Sequence, residues 1–120
     1  MRVKRVYEPA SAEDGYRVLV DRVWPRGLSK GAVAVDEWLP DVAPSTELRR
    51  WFGHDPSRWE EFNRRYHGEL VAAREEVEAL LERATRHAPE ETTLTLVYSA
   101  RDTEHNQAVS LKAFLERRPG

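Results

Sequence analysis

Tyr16-Arg17-Val18-Leu19-Val20-Asp21-Arg22-Val23-Trp24-Pro25-Arg26-Gly27 is the stretch whose reading decides the fold. Its apolar residues Val18, Leu19 and Val20 run continuously rather than alternating, the mark of a strand buried on both faces, as in the parallel sheets of α/β proteins. The strand read over residues 16–22 stops at a loop constrained by Pro25 and Gly27 that carries an acid, two arginines and a tryptophan. Open α/β sheets build their ligand sites beyond the carboxyl ends of strands, on loops held by a rigid scaffold. One segment thus points both to a fold class and to a place within it.

Working outward, residues 2–7 (Arg-Val-Lys-Arg-Val-Tyr) read as a first strand, and Thr92-Thr-Leu-Thr-Leu-Val-Tyr98 has the strongest β-propensity in the chain. Residues 33–39 read as a short third strand, with Asp36-Glu37-Trp38-Leu39 open to a helical turn. Beyond Pro40 the period changes. Ser45 is the expected N-cap of a helix running to about Phe52 and closed by Gly53. Asp55 followed by Pro56 is a second helix start. From there Trp59, Phe62, Tyr66, Leu70, Ala73, Val77, Leu80, Leu81 and Ala84 recur at intervals of three and four, one apolar stripe of a long helix or of two in series. Gly68 is the expected weak point and Pro89 the stop. A final helix is expected over residues 104–117, with Ala108, Leu111, Phe114 and Leu115 on its apolar face. Strands alternating with helices predict a single α/β domain over residues 1–120. Its expected form is a small three-layer sandwich, with a mostly parallel sheet of about four strands and a long amphipathic helix or helix pair. Only the last few residues are expected to be loose.

Composition removes several function classes. The chain has no cysteine, which excludes disulfides, thiolate metal sites and thiol nucleophiles, and its four histidines show no metal-ligand spacing, so no metal is expected. No cofactor motif is present. The N-terminus lacks an apolar signal core and no run approaches membrane-spanning length, so a soluble cytoplasmic protein with no membrane partner is expected. Net charge is −2 but uneven: residues 1–35 carry +3, residues 36–91 carry −6 and residues 92–120 carry +1. Basic ends suit an anionic ligand but fall short of the footprint of a dedicated nucleic-acid binder.

Two segments at strand ends carry the candidate chemistry. In the first, Arg22 and Arg26 suit an anion through bidentate hydrogen bonds, Trp24 a planar group through stacking, and Asp21 an acid/base or orienting role. The plainer reading is a salt-bridged strand end with Trp24 capping the core. In the second, Ser99, Arg101, His105 and Asn106 lie between the strongest strand and a helix, with His105 the second acid/base candidate. Gly27-Leu28-Ser29-Lys30-Gly31 matches G-x-S-x-G, yet Pro25 and Gly27 separate the serine from its strand and Gly31 is expected to interrupt a following helix, so the nucleophile elbow is rejected. His54 beside Asp55 is a weaker dyad, because Asp55 serves better as an N-cap. Trp38, Trp51, Phe52 and Trp59 read most simply as packing aromatics.

Val6-Tyr7-Glu8-Pro9, the block from Arg17 to Gly27, Ala43-Pro44-Ser45-Thr46-Glu47-Leu48-Arg49, Trp51-Phe52-Gly53-His54-Asp55, Leu96-Val97-Tyr98-Ser99-Ala100-Arg101-Asp102 and His105-Asn106-Gln107-Ala108 together resemble the YeaO-like family of small bacterial proteins. The resemblance spans nearly the whole chain and implies a bacterial, cytoplasmic α/β protein, but supplies no activity. A broader group looks distantly similar; its corresponding strand ends in a cysteine where this chain has Tyr98, so no thiol chemistry carries over.

These readings converge on an expected site for an anionic or nucleotide-like small molecule across the two strand ends, with or without catalysis. Its rivals are a nucleic-acid-binding module and a protein-interaction surface over residues 38–59, in a monomer or a homodimer.

Overall fold

The computed structural model describes residues 1–87 and 93–117. Within them, four strands, β1 (Arg2–Arg5), β2 (Tyr16–Leu19), β3 (Glu37–Trp38) and β4 (Leu94–Tyr98), form one sheet in the order β1-β4-β2-β3. Every pair is parallel: Val18 of β2 lies opposite Leu96 of β4 and Glu37 of β3, and Val3 of β1 opposite Leu96. The small, parallel-stranded α/β fold expected from residues 16–22 is the one found. The continuous apolar run of β2 has a direct cause, because alternate residues feed two cores. Val18 and Val20, with Leu94, Leu96 and Tyr98, join the main core. Leu19 and Val97 join Val6 and Val33 in a smaller one.

The main core is closed by four helices, α2 (Thr46–Phe52), α3 (Trp59–Ala72), α4 (Arg74–His87) and α5 (Gln107–Glu116). The smaller core has a thinner cover, with Trp24, Leu28, Val35 and the one-turn helix α1 (Lys30–Val33) packed against it. Ser45 caps α2 by accepting from the Leu48 amide, and Gly53 closes it in the left-handed region at φ 54°. Ser45 also donates to Glu69 of α3 at 2.6 Å, which locks the start of α2 to its neighbour. Phe62, Tyr66 and Leu70 bury the inner face of α3, each worth about 2 kcal/mol of apolar transfer. The Tyr66 hydroxyl donates to the Val42 carbonyl, so its polar end is satisfied in the interior.

Several boundaries differ from expectation. The apolar stripe divides at Ala73, whose amide is shared between the carbonyls of Glu69 and Leu70, and Gly68 sits unbroken inside α3. The division lets α3 pack on α2 and α5 while α4 reaches the 3₁₀ turn at Pro40–Val42. Residues 33–39 are not one strand: Val33 ends α1, Ser29 caps that helix despite Gly31, and only Glu37–Trp38 pairs with β2. Trp38 is 41% exposed and belongs to neither core. The last helix begins at Gln107, not residue 104, because Asp102 accepts from the Glu104 and His105 amides in a turn of its own. Pro89, the start of the strand expected at Thr92 and the loose tail expected at residues 118–120 lie outside the described residues.

Candidate functional site

β2 and β4 are parallel neighbours, and their chains leave the sheet toward opposite faces. After β2 the chain runs over the small core to Val33; after β4 it enters α5, whose Ala108 and Leu111 belong to the main core. Such divergence opens a crevice at the strand ends, the switch point where open parallel sheets hold ligands. A cavity of about 850 Å³ occupies that position, within the ~300–1,000 Å³ span of small-molecule sites. Asp21, Arg22, Trp24 and Arg26 line it from the first loop; Ser99, Arg101, His105 and Asn106 line it from the second. The structure therefore brings both segments to one place.

Asp21 lies at the junction of the two loops and is only 7% exposed. Ser99 Oγ donates to its Oδ2, and Gln107 Nε2 donates to Oδ1 at 2.5 Å. Burial raises its pKa, and these two donors, the Ser99 backbone amide and the positive field of Arg49 only partly offset that rise. Its backbone carbonyl accepts from the Trp38 indole at 2.8 Å, which fixes the strand end itself.

Five arginines line the same cavity as this acid: Arg22, Arg26, Arg49, Arg50 and Arg101. They do not have one role. Arg22 donates to the Pro44 and Ala43 carbonyls at 2.8 and 3.0 Å, tying the first loop to the approach of α2, so much of its hydrogen-bonding capacity is structural. Arg26, Arg49, Arg50 and Arg101 are exposed, and no side-chain hydrogen bond or ion pair holds them among the described residues. Guanidinium groups left unpaired on a cavity rim are ready donors for phosphate or carboxylate. Asp102 also lines the cavity, but it is occupied: its Oδ2 sits 2.9 Å from Nδ1 of His105. Hydrogen bonds from the Glu104 and His105 amides keep the Asp102 carboxyl below its ordinary pKa.

The remaining candidates are held firmly. Trp24 donates its indole N–H to the Leu28 carbonyl at 2.7 Å and meets Trp38 edge-on, with centroids 5.5 Å apart, so its ring is a fixed wall. His105 is oriented by Asp102 on one side and by the Trp59 ring, 5.3 Å away, on the other. Asn106 is buried and caps α5, accepting from the Val109 amide at 3.0 Å and donating to the Asp102 carbonyl at 2.9 Å. Its side chain shapes the loop rather than reaching freely into the cavity. His54 faces the same cavity in the left-handed region at φ 57°, while Asp55 is spent on capping the Ser57 amide; no His54–Asp55 hydrogen bond forms.

Sequence reasoning omitted four contributors. Arg49, Arg50 and Phe52 come from α2, and Phe62 from α3, to complete the rim and an apolar wall in which the two phenyl rings stack at 4.4 Å. The four consecutive arginine and aromatic residues Arg49-Arg50-Trp51-Phe52 are visible in the sequence, but nothing local aims their helix at the strand ends. Gln107 carries no local signal of a role; only the fold places it on Asp21.

Fold and site together define a small parallel α/β protein with an arginine-rimmed cavity at the switch point of its sheet. The chain belongs to the YeaO-like family: the model of the inactive DUF488-N3 subclade matches residues 1–119. It is similar to the uncharacterized protein YeaO of Escherichia coli strain K12, at 42% identity over 115 residues covering 96% of each chain. It is also similar to the uncharacterized proteins Mb3100c of Mycobacterium bovis and Rv3073c of Mycobacterium tuberculosis, each 54% identical over 70 residues that cover 58% of this chain and 59% of theirs. No solved structure matches. Among the described residues, no helix is long and apolar enough to cross a membrane.

Proposed function

We propose that this protein binds an anionic, nucleotide-like small molecule in the cavity between the ends of β2 and β4, in the bacterial cytoplasm, and that it binds without turnover. The observation that carries the reading is the set of arginines, Arg26, Arg49, Arg50 and Arg101, that rim the cavity and that no side-chain hydrogen bond or ion pair holds among the described residues, so that positive charge exceeds the two lining carboxylates, Asp21 and Asp102. Within the protein, unsatisfied like charges gathered on one concave surface repel one another, and an anion relieves that repulsion. Binding rather than catalysis is supported by the subclade's description as inactive, and by Asp21 and His105 each being held by protein partners.

The test is a thermal-shift screen of phosphate- and carboxylate-bearing metabolites at millimolar concentration and fixed ionic strength, on the wild type, Arg26→Ala and Arg49→Ala. Stabilisation of the wild type that is reduced in both variants is the expected result. A flat response across the library would refute the reading. A nucleic-acid binder would instead lose affinity steeply with salt, which a pocketed small anion does not.

A further inference from the structure

Resting on that anion-binding reading, we infer that the bound anion brings an O–H donor of its own, as hydrogenphosphate and the ribose of a nucleotide do, and that His105 selects it by accepting that hydrogen bond. The arginines of the rim can only donate. Of the two carboxylates in the cavity, Asp21 is engaged by Ser99 and Gln107. Asp102 accepts from the Glu104 and His105 amides through Oδ1, at 2.9 Å each, and its Oδ2 faces Nδ1 of His105 at 2.9 Å. Those two amides hold Asp102 below its ordinary pKa, so it stays ionised and can only accept. The single ring proton of a neutral His105 therefore sits on Nδ1, and Nε2 bears a lone pair. No protein group donates to that nitrogen among the described residues.

The ring is reachable and its orientation is fixed. Its side chain is 30% exposed on the cavity wall, and the Trp59 ring meets it edge-on at 84°, so it is braced on the side away from Asp102. His54 lines the same cavity, but no side-chain hydrogen bond fixes its tautomer among the described residues, so it can turn a donor or an acceptor to any ligand. His105 has no such freedom. An anion drawn in by the arginines without a donor sets its own lone pairs against Nε2 and leaves that acceptor unpaired. An anion with an O–H group closes the contact, and the same nitrogen thus attracts one ligand and opposes the other.

Titration calorimetry at about pH 8, where an imidazole is ordinarily uncharged, and at constant ionic strength compares two matched pairs of ligands. Hydrogenphosphate and sulfate are tetrahedral dianions that differ by one P–OH proton; adenosine 5′-monophosphate and its 2′,3′-dideoxy analogue differ by the ribose hydroxyls. The wild type is expected to favour the hydroxyl-bearing member of at least one pair by about tenfold, and the pair that shows it tells whether the donor sits on the anion itself or on the sugar. In His105→Ala the preference falls to within about threefold. Asp102→Asn is the sharper variant: its Oδ1 still accepts the two amides, but its NH₂ donates to Nδ1, the ring proton moves to Nε2, and the preference is lost or inverted. Equal affinity within both pairs in the wild type overturns the selection while leaving anion binding intact. A preference that survives in either variant also overturns it. Absence of binding by all four ligands overturns both readings. Should Asp102→Asn fail to fold, His105→Ala decides.

Discussion

Asp21 is held at a cost to the fold, and the sign of that cost is measurable. Burial raises its pKa, so between the ordinary carboxylate value and the raised one the folded chain keeps a proton that the unfolded chain has released. The stability linked to this group is complete below the ordinary value, about 4, and is lost as pH rises through the raised one. Asp21→Asn is therefore expected to unfold at higher denaturant concentration than the wild type near neutral pH. The gap should close below about pH 4. Urea titrations of both proteins across that range check this, and a variant less stable at neutral pH but not in acid would contradict it. Asp14 shows the opposite arrangement. Burial alone would raise its carboxyl, but the Ser11 amide, Lys4 and Arg17 outweigh burial and hold it low. Its contribution is present above the ordinary value and lost as pH falls through the lowered one. Asp14→Ala, which strands the buried Arg17, is expected to cost about 3 kcal/mol near neutral pH.

Among the elements, α3 gives the cleanest test of what local sequence decides. Gly68 is exposed in the middle of that helix, and a Cβ there would meet nothing within 4 Å. Gly68→Ala should stabilise by about 1 kcal/mol, the helix-propensity difference alone, seen as a higher urea midpoint with an unchanged slope. Gly15 has the reverse prospect: at φ 64° its Cβ would stand 2.3 Å from the Thr93 carbonyl oxygen, so Gly15→Ala should destabilise by more than about 1 kcal/mol. The same contrast explains what the sequence disclosed. Caps at Ser45 and Gly53, the stripe from Phe62 to Ala84 and the strand ends at Asp21 and Ser99 are local signals, set by neighbours three or four residues away. The break at Ala73 is not, because it depends on which partners α3 and α4 find in three dimensions. Nor could spacing reveal that Arg22 is engaged by the Ala43 and Pro44 carbonyls, that Gln107 hydrogen-bonds the acid at residue 21, or that the charge of Arg49 acts on that acid. Those contacts join segments more than twenty residues apart, and they were invisible for that reason.

Across the whole molecule, the two ends of the sheet manage charge in contrary ways. At the amino ends of the strands, Asp14 gathers Arg2, Lys4 and Arg17 at 3.3, 3.0 and 2.6 Å, so positive charge is neutralised within the chain. At the carboxyl ends, no ion pair holds Arg26, Arg49, Arg50 or Arg101 among the described residues. An anion should consequently stabilise the protein through one end only. Phosphate present at ten times its dissociation constant would add about 1.4 kcal/mol, or roughly 5 °C in melting temperature for a domain of this size. The double variant Arg26→Ala/Arg101→Ala should lose most of that increment while melting within about 2 °C of the wild type in chloride, since exposed arginines without partners contribute little to the fold. Arg2→Ala should do the reverse, melting lower in either salt and keeping the full phosphate increment, because it loosens the Asp14 cluster and leaves the cavity rim intact. Differential scanning calorimetry of the three proteins in phosphate and in chloride at matched ionic strength separates these outcomes. General salting-out by phosphate would raise all three alike, and that uniform rise would remove the case for a specific anion site at the carboxyl ends of β2 and β4.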